Sequence, residues 1–171
     1  PEGRLEAGKK SEVLIQLLNV MEEIISSVNK KRKAKFIFNG DIFELALANT
    51  NEAVMTFDSF LELTYTKGRK EYFSDKLLFI PGNHDHHLWE TARERQYLEF
   101  MTKLAPGEYI EPPWHHTKMI KPTPLKSRFI TTLMQRHKNL REARAMTVYP
   151  NLTLVNRDTE KYVVISHGHF I

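Results

Sequence analysis

The chain reads as an α/β fold in which helices alternate with short buried strands, and the strands end in residues that carry chemistry. Three observations point there. Apolar residues recur at helical spacing over 14–28, a compact apolar run (Phe36, Ile37, Phe38) follows, and two more runs lie at 77–80 and 162–165. The turns after these runs hold Gly40-Asp41, Gly82-Asn83-His84-Asp85 and Ser166-His167-Gly168-His169. Helix followed by strand implies helices layered on a sheet.

Ser11 precedes the first periodic stretch and predicts an N-cap for a helix ending near residue 29. Leu14, Leu17, Leu18, Met21, Ile24, Ile25 and Val28 fall on one of its faces. Lys30, Lys31, Arg32 and Lys33 then sit at its C-terminus, where cations complement the helix dipole, and a solvated helix end accounts for them. Residues 36–38 predict a buried strand, left through Gly40-Asp41. A helix is expected over 52–63 with Val54, Phe57, Phe60 and Leu61 inward. The strand at 77–80 is stopped by Pro81-Gly82, and Gly82 lets backbone approach a ligand closely. Helical patterning returns over 88–104, and five prolines between 105 and 124 mark an irregular connection. Residues 125–146 read as a basic helix, with Phe129, Ile130, Leu133, Met134 and Leu140 apolar. Residues 152–155 and 162–165 read as paired strands around a turn at 156–160, and there is no internal repeat.

A length of 171 residues suits one domain, 1–171, within which 88–147 is expected to form a helical insertion or cap. Apolar content of 41% and charged content of 27% place the chain among soluble globular proteins. No apolar stretch approaches the roughly 18 residues of a membrane span. Pro1-Glu2-Gly3-Arg4 shows neither a signal-peptide core nor an initiator Met, so the chain is expected to be processed or to begin inside a longer protein. Zero cysteines exclude disulfides, thiolate zinc sites and cysteine nucleophiles, and agree with a cytoplasmic location. Any metal must then be held by His, Asp, Glu and Asn, which suits manganese, iron, zinc or magnesium. The formal charge of +4 favours anionic partners but is too small an excess to indicate nucleic acid. Composition leaves the oligomeric state open.

Asp41, Asn83-His84-Asp85 and His167 at three strand ends are the residue types of a metal-assisted hydrolase of phosphate esters. Singly, Asp41 reads as a cap or turn former and Asn83 as a turn residue; their joint occurrence favours a site. Gly-Asp-x-x-Glu at 40–44 and Gly-Asn-His-Asp at 82–85 resemble two signature blocks of the calcineurin-like metallophosphoesterases. Ser-His-Gly-His at 166–169 resembles that family's later single-histidine block, so the likeness spans residues 36 to 169. It implies a sandwich of two mixed β-sheets flanked by helices, two divalent ions with manganese favoured, and an anionic phosphate-ester substrate. Asp41 would bridge the ions, Asn83 and His167 would ligate the second, and a bridging hydroxide would attack phosphorus. His84 would protonate the leaving oxygen, with Asp85 holding its ring and raising its pKa. Glu44, where the family more often has Asp, would be a support, and His169 a support or substrate contact.

The remaining histidines receive plainer readings. His86 and His87 are expected to open a helix and face solvent, His137 to be exposed on a helix, and Trp114, His115 and His116 to pack within a loop. The basic residues of the expected cap, Lys118, Lys121, Lys126, Arg128 and Arg136 among them, would attract substrate or form a solvated face. The Asp-x-His and Gly-His-x-His blocks that open and close the family pattern are missing: His84 is the first histidine, and Ile171 falls where the last would stand. The chain is therefore expected to be incomplete. The competing reading is a non-catalytic scaffold on the same fold, which has lost its metals and binds protein partners.

Overall fold

A computed structural model describes residues 11–28, 32–45, 48–111 and 122–168. His169, Trp114, His115, His116, Lys118 and Lys121 lie outside them. Helix α1 (Glu12–Val28) begins as expected: the Ser11 hydroxyl accepts the Leu14 amide at 3.2 Å, satisfying one orphan donor of the first turn. Leu18 and Ile25 are its buried contacts. Strand β1 (Ile37–Asn39) follows, then α2 (Thr50–Thr64), where the Glu52 carboxylate accepts the Asn49 amide at 3.4 Å as half of a capping box. Strand β2 (Lys76–Ile80) leads into α3 (His87–Met101).

The next segment departs from expectation. Residues 125–146 are not one helix but β3 (Leu125–Lys126), α4 (Arg128–Gln135), a short 3-10 turn (Lys138–Leu140) and β4 (Arg144–Thr147). Its second half carries period-two burial, with Ala143, Ala145 and Thr147 inside and Arg144 outside. That alternation is a strand signal, which the apolar positions of α4 mask when the stretch is read as one window. Strands β3 and β4 thus join the central sheet, so these residues build the core layer instead of a cap above it.

The main sheet has the order β1-β2-β4-β3. Strands β1, β2 and β4 run parallel, with Phe38 opposite Phe79 and Leu78 opposite Met146; β3 runs antiparallel to β4. The mixed sheet with its flanking helices is the α/β architecture expected. Strands β5 (Asn151–Val155) and β6 (Tyr162–Ser166) form a second, antiparallel pair, closed by Asn156, whose side chain accepts the amides of Asp158 and Thr159.

Phenylalanines dominate the core beneath the site. Phe43 is buried among Phe57 at 5.1 Å, Phe129 at 5.5 Å and Phe79 at 6.4 Å between ring centroids. Burying such a ring contributes about 2–3 kcal/mol, so Phe43 pins the turn that carries Asp41 and Glu44 to the end of the sheet. In parallel α/β sheets, ligands bind beyond the carboxyl ends of the strands. Here Asn39, Ile80 and Thr147 end β1, β2 and β4 along one edge.

Candidate active site

Three chain segments meet at that edge. The first leaves β1 through Gly40 (φ +80°) and Asp41 (φ +53°), the second leaves β2 through Pro81-Gly82-Asn83-His84-Asp85, and the third leaves β6 through His167 and Gly168 (φ +91°). Asp41 joins all three. Its Oδ1 accepts the His84 backbone N–H at 3.0 Å, and its Oδ2 lies 2.9 Å from His167 Nε2.

The His167 ring is oriented by backbone. Its Nδ1 lies 2.9 Å from the Asn39 carbonyl oxygen, which can only accept, so Nδ1 carries a proton and donates. Nε2 therefore faces the Asp41 carboxylate with a lone pair unless a further proton or a metal ion lies between them. The Asn39 side chain also donates to the Ser166 carbonyl at 3.2 Å, tying the end of β1 to the end of β6. Asn39 was not singled out from the sequence; its only signal there is its place one residue before Gly40-Asp41.

Two glycines are required by contact. A Cβ on Gly40 would stand 1.8 Å from His167 Nδ1, and one on Gly82 would stand 2.0 Å from Asp41 Oδ1. Both positions are cut back so that a carboxylate and an imidazole can enter.

Asp85 differs from the role expected of it. Asp85 is 0% exposed, and its carboxylate accepts backbone N–H groups from Gly82 at 2.7 Å, Ile42 at 2.9 Å and Phe43 at 3.5 Å. It braces the β1 turn against the β2 turn, and it does not hold the His84 ring. That ring bonds through Nδ1 to Glu44 Oε1. The His84 pKa is raised, first by the hydrogen bond to Glu44 and then by the charges of Glu44, Asp41 and Asp85, against partial burial, which lowers it. Asp85 lost the ring because its backbone carbonyl starts α3, accepting from Leu88 at 3.1 Å, while its carboxylate turns inward. Asn83 stands exposed at the tip of the same turn.

Two other histidines also depart from expectation. His86 is only partly exposed: its ring lies 4.7 Å from Tyr149 and 5.5 Å from Trp89, and its Nδ1 is 3.4 Å from Glu90. His137 pairs with Asp58 at 2.9 Å and is largely buried, linking the end of α4 to α2. His87 is exposed, as expected.

Among the described residues, no three His, Cys, Asp or Glu side chains converge as a metal site would require. Asp41, Asn83 and His167 nevertheless fit a divalent ion in kind: a carboxylate, an amide oxygen and an imidazole whose other nitrogen is fixed by a carbonyl, the usual outer support of a metal-bound histidine. They are a partial set.

The fold and this rim define an α/β protein whose polar groups gather at the carboxyl edge of a parallel sheet. The family model for calcineurin-like phosphoesterases matches residues 13–170, and the chain belongs to that family of phosphoester hydrolases. No curated protein and no solved structure matches the chain significantly. No helix among the described residues is long and apolar enough to cross a membrane.

Proposed function

We propose that this rim hydrolyses phosphate esters (a phosphomonoester, a phosphodiester or a pyrophosphate) with the help of two divalent ions, manganese being favoured. The observation that carries the reading is Asp41 joining His167 and the amide of His84 from three separate chain segments. Asp41, Asn83 and His167 would hold metal. When bound, the ions would neutralise phosphate charge and make a water acidic enough to act as the nucleophile near neutral pH.

The protein's own groups supply the rest. Glu44 occupies Nδ1 of His84 and favours the protonated ring, leaving Nε2 to deliver a proton to the departing oxygen. Asp85 acts at a distance by fixing the two turns. The net charge of +4 would draw an anionic substrate, and the absence of cysteine accords with a reducing, cytoplasmic setting.

The partial ligand set favours a second reading, a scaffold that has lost its metals. Hydrolysis of bis(4-nitrophenyl) phosphate with added manganese, alongside counting of bound ions, separates the two. Hydrolysis is expected to fall about a hundredfold in Asp41→Asn and Asn83→Ala. Unchanged rates in both variants would reject the hydrolytic reading, and a folded chain retaining less than one ion would favour the scaffold.

A further inference from the structure

Between α3 and the junction of β3 with α4 lies a groove of about 540 Å3, within the range of small-molecule sites. Leu88, Ala92 and Leu98 of α3 face Phe129 and Leu133 of α4 across it. Its floor is polar. Ser127, at the N-cap of α4, lines the groove, is 2% exposed and makes no capping bond with its side chain. Among the described residues, the first amides of α4 consequently have no side-chain cap, which leaves the positive end of the helix dipole open.

Charge at the mouth has one sign in excess. Lys126 and Arg128, on either side of Ser127, are exposed and form no ion pair among the described residues. Arg95 is already paired with Glu99 at 3.2 Å, and Glu94 is the one acid in the lining among the described residues. This place is distinct from the rim. The Ser127 amide bonds to the Ala145 carbonyl, toward the beginning of β4, whereas Asp41 and Asn83 lie beyond the strands' carboxyl ends.

We propose that the groove binds a small amphiphilic anion, an apolar body with one carboxylate or phosphate. The anionic group sits on the Ser127 hydroxyl, the first amides of α4, Lys126 and Arg128, and the apolar body lies between α3 and α4. A neutral apolar ligand leaves the hydroxyl and amides unmatched, and a bare phosphate leaves the apolar walls wet.

The test is an amide NMR titration of the whole chain, in the presence of a chelator so that hydrolysis plays no part, with decanoate, decyl phosphate, decanol and inorganic phosphate as probes. One or both decyl anions should shift Ala92 and the amides of 127–130, and the stronger of the two identifies the headgroup. Decanol should bind about tenfold more weakly, and inorganic phosphate should not saturate below about 5 mM. Lys126→Gln combined with Arg128→Gln, both at exposed positions, should weaken the anions about tenfold. Thr132→Trp, at the exposed mouth, should block them while leaving the remaining spectrum in place. Equal binding of decanol, binding unaffected by these substitutions, shifts confined to the exposed outer face of α1 or to β5–β6, or no saturation by either anion below about 5 mM would overturn the proposal.

Discussion

Strands β2 and β6 are each five residues long and mostly apolar, yet they live in different surroundings. Phe79 in β2 is 0% exposed, while Val163 in β6 is 59% exposed. β2 has a partner strand on both sides and aromatic rings against it; β6 has β5 alone among the described residues. An apolar run therefore defines a strand, but the neighbours decide how much stability it contributes. The difference extends to the site. Asp41, His84 and Asp85 stand on a wall fixed by buried carboxylate–amide bonds, and His167 stands on a ribbon joined to that wall through Asn39 and Asp41.

The largest expected contrast comes from the fixed wall. Phe79→Ala should lower unfolding free energy in urea by about 3–5 kcal/mol, through lost burial and the cavity left behind. Asp85→Ala should cost about 3 kcal/mol by the same measurement, since it strands several buried amides at once. A cost below about 1 kcal/mol would mean that Asp85 does not lock the two turns.

Tyr65 gives the buried side a pH signature. Its pKa is raised, chiefly by burial and further by the charge of Asp75, and its hydroxyl donates to the Ser74 carbonyl at 2.8 Å. A raised folded-state value means that its contribution is complete below the ordinary tyrosine value of 10.0 and fades as pH climbs toward the folded-state value. Tyr65→Phe should cost about 1 kcal/mol at neutral pH and flatten the alkaline decline seen by urea unfolding at pH 8 and 11.

Smaller effects sharpen the comparison. Glu44→Gln should return the His84 titration, followed by NMR in metal-free protein, downward toward the ordinary imidazole value. A titration that stays put would remove Glu44 as its cause. Val163→Ala, on the exposed ribbon, should change stability by less than about 0.5 kcal/mol. A loss comparable to that of Phe79→Ala would show that something covers β6.

Much of this was legible in sequence because local chemistry was enough. The Ser11 cap, the strands before Gly40 and Gly82, and the β5–β6 pair follow from periodicity and turn residues. The strand β4 was hidden because Ala145 and Met146 are as acceptable in a helix as in a strand, and its identity comes from pairing with β2. Asp85 does not hold the His84 ring, and Glu44 does, because adjacency along the chain does not say where a side chain points. His137 was misplaced for a related reason: its partner Asp58 is far away in sequence.

Asp41 and Glu44 both hold left-handed backbone, at φ +53° and +42°. Aspartate tolerates that region; a long side chain such as glutamate gives up on the order of 1–2 kcal/mol to be there. Lineages kept only for yield would drift at position 44 toward glycine or asparagine, which relax the turn. Retention of an acid there would instead record selection on turnover, with a persistent energetic penalty as its fossil.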